Sequence, residues 1–154
     1  MQDPEQILVQ HKFFQGIDEK YISDIARQAT IVQFGKGDFL LKEGDDADEF
    51  YLIVKGKVAI EIFAPNRGAI PIQTVEDGEM LGWSWLIAPY KWRFSARAVT
   101  GTETIALNGK TLRDQCEKEP RLGYVLMKHV VGVFTRRLEQ TRLQLLDVYG
   151  TRSK

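Results

Sequence analysis

The spacing of apolar positions changes twice along the chain, and each change marks a different kind of structure. Tyr21, Ile22, Ile25, Ala26 and Ala29 recur at intervals of three and four, which predicts an amphipathic helix over 19–29 with Asp18 as its N-cap. An earlier helix start is expected at Asp3-Pro4-Glu5, where proline occupies the first turn and acids lie near the positive end of the dipole. Its weak stripe, Ile7, Leu8 and His11, breaks at Phe13-Phe14-Gln15-Gly16-Ile17. From Ile31 the period shortens to two. Residues 31–34, 39–42, 50–54, 58–63, 70–75, 95–100 and 103–107 read as short strands, with Val58, Ile60 and Ile62 on one face of theirs. Turn chemistry separates them at Gly35-Lys36-Gly37-Asp38, Glu43-Gly44-Asp45-Asp46, Lys55-Gly56-Lys57, Pro65-Asn66-Arg67-Gly68 and Gly101. Pro71 has no N–H for a ladder, which predicts an edge position for its strand. Short strands at this spacing, without helices between them, predict an all-β roll, sandwich or barrel and not a βαβ sheet.

After Leu107 the helical period returns. Residues 110–118 predict a short helix ended by Glu119-Pro120, and a long helix follows from Arg121 to about Val148. Tyr124, Met127, Val131, Phe134, Leu138, Thr141, Leu145 and Val148 alternate spacings of three and four, a heptad seam with one polar member. Leu122, Val125, Leu126, Val130 and Val133 form a second row on another face. A helix of ~27 residues is ~40 Å long, more than one small roll needs to cover. The seam therefore predicts a parallel homodimer interface, with a monomer whose helix wraps its own domain as the alternative.

Composition narrows the function. The chain has 154 residues, enough for one domain and a helical extension, and its 21 basic and 21 acidic residues cancel. That balance argues against a broad nucleic-acid surface. Cys116 has no cysteine to pair with and reads as a packed thiol in a reducing compartment. No apolar run is long enough to span a membrane, and the N-terminus lacks the basic start and apolar core of a signal peptide, so a cytoplasmic location is expected. His11 and His129 lie far apart, and with one cysteine no zinc spacing exists. The acidic group Glu43, Asp45, Asp46 and Asp48 has no helical flank of the kind a calcium loop needs and reads as a solvated turn. There is no Walker loop, nucleophile elbow or histidine cluster, so no enzyme, metal or cofactor is expected. Only Tyr149-Gly150-Thr151-Arg152-Ser153-Lys154 follow Val148, too few for a DNA-reading helix and its partner, so no direct DNA contact is expected of this chain.

One stretch, residues 75–98, interrupts the strand series and holds Trp83, Trp85 and Trp92, all the tryptophans of the chain. Residues 80–86 read as a short helical turn after Gly78-Glu79. A helix start there would leave N–H groups free to draw an anion such as phosphate. Gly78-Glu79-Met80-Leu81-Gly82 followed by Ser95-Ala96-Arg97-Ala98 resembles the phosphate-binding cassette of the cyclic-nucleotide-binding domain family, which includes catabolite activator proteins and protein kinase A regulatory subunits. Arg136-Arg137-Leu138-Glu139-Gln140-Thr141 is similar to the dimer helix of catabolite activator proteins, and Phe13-Phe14-Gln15-Gly16-Ile17 is similar to the helical motif before their roll. The resemblance implies a mainly β fold with flanking helices: a double-stranded β-helix (a jelly-roll-like β-roll) and a long C-terminal dimerisation helix. It divides the chain into an N-terminal helical segment (1–30), a ligand-sensing roll (31–108) containing the cassette (75–98), the two C-terminal helices (109–148) and a tail (149–154).

The resemblance also implies a ligand, cAMP or cGMP, with Gly78, Glu79, Met80, Leu81, Trp92, Arg93, Ser95 and Thr141 as its site residues. Glu79 would take the ribose 2′-hydroxyl and Thr141 would contact the base across the dimer. The family's phosphate-gripping arginine falls on Trp92, and Arg93 is one residue out of register. An arginine–phosphate pair contributes ~1.5–3 kcal/mol, so its loss weakens a cyclic phosphate roughly 10- to 100-fold unless Arg93 enters the pocket. Trp83, Trp85, Tyr90 and Trp92 either line a pocket and stack a flat ligand or fill the space the nucleotide would take. Glu79 has an alternative partner in Arg137. The function expected is a regulatory sensor domain that binds a cyclic nucleotide or related small anion and signals through its C-terminal helix to an unidentified protein partner. The alternative is a ligand-free interaction and dimerisation module with a degenerate pocket.

Overall fold

A computed structural model describes residues 3–152. Helix α1 (Pro4–Gln10) begins with a capping box, in which the Asp3 side chain accepts from Gln6 N–H and the Gln6 side chain accepts from Asp3 N–H. A 3₁₀ turn (Lys12–Phe14) and α2 (Glu19–Ala26) follow. The helix expected to reach Ala29 stops at Ala26 because Thr30 already pairs in the first strand, opposite Ala106.

The strands are β1 (Thr30–Phe34), β2 (Phe39–Leu41), β3 (Glu49–Lys55), β4 (Lys57–Ala64), β5 (Gly68–Glu76), β6 (Met80–Leu81), β7 (Ser95–Ala98) and β8 (Thr102–Asn108). They form two four-stranded antiparallel sheets, β1-β8-β3-β6 and β2-β7-β4-β5, which face each other as a β-roll. Phe50, Leu52, Ile53, Val58, Ile60, Val75, Ile105 and Leu107 fill the space between them. Strand β5 lies at a sheet edge, as Pro71 predicts, and the β4–β5 register slips between Ile60 and Glu61, where Pro71 is paired. Val58 and Ile60 are buried, but Ile62 has run out beyond the core on the projecting hairpin.

Helix α3 (Gly109–Lys118) is capped by Asn108, whose side chain accepts from Thr111 N–H. Helix α4 (Pro120–Arg152) has 33 residues and is ~50 Å long at 1.5 Å per residue. It continues through residues 149–152, which the sequence reading assigned to a tail; the rest of that tail, 153–154, lies outside the described residues. Its inner row, Leu122, Leu126, Val130 and Val133, is buried in the core cluster, with α3 packed against the helix. The heptad seam points the other way: Tyr124, Met127, Val131, Phe134, Leu138, Leu145 and Val148 are all exposed in the single chain. Among the described residues no helix is long and apolar enough to cross a membrane, and no His, Cys, Asp or Glu cluster is suited to a metal.

Candidate functional site

The cassette begins where β5 ends. Gly78, at φ +80°, turns the chain so that its N–H reaches the Ile53 carbonyl and the Glu79 carbonyl accepts from Ile53 N–H, both at 2.9 Å. Met80 and Leu81 then pair with Leu52 and Tyr51. The expected helical turn over 80–86 is therefore replaced by strand β6 and a turn at residues 84–86. Both side chains of β6 are buried, and that burial on β3 outweighs the local helical spacing. With no helix start, the anion-attracting N–H cluster expected at Gly78-Glu79-Met80 does not form.

The Glu79 carboxylate folds back locally, its Oε1 accepting from Glu76 N–H at 2.9 Å. Arg137, from the inner side of α4, reaches toward the same segment. It is only 7% exposed. Its Nη1 donates to Gln73 Oε1 at 2.8 Å and its Nη2 to the Met80 carbonyl at 3.2 Å, while Nε is buried without a partner. Burial pulls the Arg137 pKa below its ordinary value, the Glu79 carboxylate offsets part of this, and Arg136 adds to the depression. Glu79 and Arg137 are thus electrostatic neighbours, though they are not among the ion pairs within 4 Å. Thr141, one turn on, donates to the Arg137 carbonyl at 2.9 Å and accepts from Gln73 Nε2 at 3.5 Å. Trp83 closes the group, its ring edge-on to Phe134 at 4.4 Å and the Arg137 guanidinium 5.9 Å from its centroid.

The strand end of the cassette is arranged differently. Trp92, Phe94, Ala96 and Ala98 are buried, while Arg93 is exposed and Ser95 and Arg97 are half-buried. This parity points Trp92 into the core, where it is 4% exposed, and Arg93 out to solvent. Arg93 therefore does not enter the roll as the missing phosphate grip. Trp92, expected among the ligand residues, is packed beside Phe94 with ring centroids 6.0 Å apart, and a Cβ on Gly82 would lie 2.4 Å from its ring. Ser95 is occupied structurally, its Oγ accepting from Glu43 N–H at 3.0 Å, and Arg97 pairs with Glu61 at 2.9 Å.

The structure thus gathers Glu79, Met80 and Thr141 of the expected site residues, with Gly78 shaping the turn and Leu81 in the core. It separates them from Arg93 and Ser95. Gln73 was not foreseen, and nothing in its strand pattern singles it out, because its partners lie about 64 residues away on α4. Trp85, the other expected aromatic, is stacked on Phe50 at 4.2 Å, and Tyr90 lies under the Arg113 guanidinium at 3.8 Å. Cys116 is half-buried, and its thiol is pushed up to about 11 by burial and then by Glu117, which keeps it protonated and unreactive.

The family model of the cyclic nucleotide-binding domain matches residues 31–119. The CRP-like cAMP-activated global transcriptional regulator of Mycobacterium tuberculosis is 26% identical over 147 residues, which cover 96% of this chain and 64% of that protein. This chain therefore spans less than two thirds of the length of that curated relative. Among solved structures, a candidate cyclic nucleotide-binding protein from Geobacter metallireducens GS-15 superposes with a TM-score of 0.78 at 31% identity, covering 90% of this chain and 99% of that one. A cyclic nucleotide-binding domain from Methylobacillus flagellatus KT gives 0.77 at 22% identity, covering 94% and 81%, and supports the fold alone. The two-sheet roll and the long C-terminal helix agree with these matches, and the chain belongs to the cyclic nucleotide-binding domain family.

Proposed function

We propose that this chain is a regulatory sensor domain in which a cyclic nucleotide or related small anion engages the roll beside Glu79 and the event is passed to α4. The observation that supports this most directly is the Arg137 anchorage. One buried side chain on α4 holds the Met80 carbonyl and the Gln73 amide and sits in the field of Glu79. A ligand that drew on the Glu79 carboxylate or moved the Met80 carbonyl would change what holds α4 to the roll. That differential contact is what coupling between a ligand and a distant helix requires. The output surface would be the seam from Tyr124 to Val148, exposed along its length and suited to a second copy of the chain. No turnover is part of this role.

Trp92 favours a second reading. By the sequence resemblance Trp92 falls where the family carries its phosphate-gripping arginine, and its burial supports a roll without that cation. On that reading the pocket is filled by the chain's own aromatic side chains, and the domain acts as a ligand-free dimerisation module.

Titration with cAMP and cGMP separates the two, following tryptophan fluorescence and melting temperature together. Trp83 and Trp92 lie in the cassette, and a ligand bound only to the folded state raises the melting temperature. The sensor reading expects saturation in both signals, lost in Glu79→Ala. Unchanged signals at millimolar nucleotide would remove cyclic nucleotides as the signal and leave the module reading.

A further inference from the structure

A cavity of about 420 Å³ lies between the turn that precedes α2 and the first turns of α4. None of the residues gathered around Glu79 and Arg137 lines it. Arg121, on its wall, precedes Arg137 by 16 residues, which is ~24 Å along the helix. One side of the cavity is apolar and consists of Ile17, Tyr21, Leu122 and Val125. Ile17 and Leu122 are buried, while Tyr21 and Val125 pack on the core and remain half-buried. Val125 belongs to the same sequence row as Leu122, Leu126, Val130 and Val133, which are all buried. It differs from them in bordering this cavity.

The polar side carries one net positive charge. Lys20 and Arg121 line it against Asp18 alone. Asp18 is already engaged as the N-cap of α2, its Oδ1 accepting from Lys20 N–H at 3.0 Å. The Lys20 ammonium lies 4.9 Å from the Tyr21 ring centroid. Neither Lys20 nor Arg121 belongs to an ion pair among the described residues, and the Arg121 guanidinium makes no hydrogen bond among them. An unengaged guanidinium beside an apolar wall matches a ligand that is apolar along its body and carries a single negative charge.

We propose that this cavity binds a small amphipathic carboxylate. Its hydrocarbon or aromatic body would lie against Leu122 and Val125, and its carboxylate would meet the Arg121 fork, with Lys20 as a second charge. The volume lies within the range of small-ligand sites, which are mostly apolar with a few placed polar groups. One excess charge suits a monocarboxylate better than a polyphosphate, and an inorganic anion would leave the apolar wall unused. Such a ligand would join the segment before the roll to the start of α4 and give that helix an input separate from the roll interior. The proposal stands whether or not the roll binds a nucleotide.

Octanoate is the probe, with octan-1-ol and acetate as its tail and head taken separately. Calorimetry on the full chain should show octanoate saturating at one equivalent per chain in the millimolar range or below. Each half should bind at least about tenfold more weakly. Arg121→Gln should weaken octanoate by about tenfold or more. Val125→Trp, which fills the cavity without altering charge, should also weaken it, with the fold intact by circular dichroism. Lys110→Gln, an exposed lysine on α3 outside the cavity, should leave it unchanged. The methyl resonances of Ile17, Leu122 and Val125 should shift on binding, and those of Leu138 and Leu145 on the exposed seam should not. Absence of saturation at about 10 mM octanoate would overturn the proposal. Equal binding of octan-1-ol, or equal losses in Lys110→Gln and Arg121→Gln, would overturn it too, because Arg121 would then not hold the carboxylate. So would shifts confined to the seam.

Discussion

The Trp92 ring rests on Gly82, close enough that a Cβ there would come within 2.4 Å of it and within 3.2 Å of the Phe94 ring. Gly82 also has φ +82°, where a side chain is strained. Gly82→Ala combines both penalties and should cost about 2–5 kcal/mol, the sum of overpacking and left-handed strain. Urea denaturation measures it. A loss below about 1 kcal/mol would mean that Trp92 moves aside easily and that the interior is not tightly filled.

Arg137 makes the second prediction. Arg137→Ala leaves Gln73 Oε1 and the Met80 carbonyl without their donor and opens space beneath α4. The expected loss is about 2–4 kcal/mol. Arg137→Lys should recover only part of it, because an ammonium lacks the fork that reaches both acceptors. Hydrogen exchange should show faster opening of α4 around Val133 and Thr141 than around Leu122. Uniform exchange along the helix would show that Arg137 does not anchor it locally.

These two sites also show what the sequence makes visible. The buried parity of Trp92, Phe94, Ala96 and Ala98 is written in the alternation, so the outward direction of Arg93 is legible even though its strand begins only at Ser95. The inner row of α4 is equally legible from Leu122 to Val133. It continues to Arg137, and a charged residue ends an apolar stripe when only periodicity is read. The segment after Glu79 misleads for a related reason: Met80, Leu81 and Trp83 have helical spacing, but pairing with Leu52 and Tyr51 decides their conformation. Long-range contacts, not local propensity, set both the anchorage and the cassette.

His11 gives a pH prediction. Its Nδ1 accepts from Phe13 N–H at 3.2 Å, so the ring is neutral with Nε2–H donating to the Ile53 carbonyl at 3.0 Å. Burial pushes its pKa below the usual 6.5, the Ile53 carbonyl offsets part of this, and Lys12 adds to the depression. Above about pH 6.5 the ring is neutral in both folded and unfolded chains and contributes no slope. As pH falls below that, the unfolded chain takes up the proton first, and stability declines until the folded pKa is passed. His11→Gln should remove this component, so the difference between variant and wild-type urea midpoints should change as the pH falls through about 6.5 and below. Parallel profiles would show that His11 is not the titrating group.

The last prediction concerns the seam. Leu138 is 63% exposed in the single chain and lies midway along the row from Tyr124 to Val148. In a parallel pair of helices it would meet its own copy, and burying a leucine contributes about 1.5–3 kcal/mol per side chain. Leu138→Glu removes that from both helices and sets two like charges together. The dimer should therefore dissociate by about 100-fold or more in Kd. Because the side chain is largely exposed in the single chain, helix content and the melting of the roll should change little. Sedimentation equilibrium should find wild type as a dimer at tens of micromolar and Leu138→Glu as a monomer with an unchanged circular dichroism spectrum. A monomeric wild type would refute the seam as a self-association surface. A dimer that survives Leu138→Glu would place self-association elsewhere, with the β4–β5 hairpin tip, where Phe63 is also exposed, as the next surface to probe.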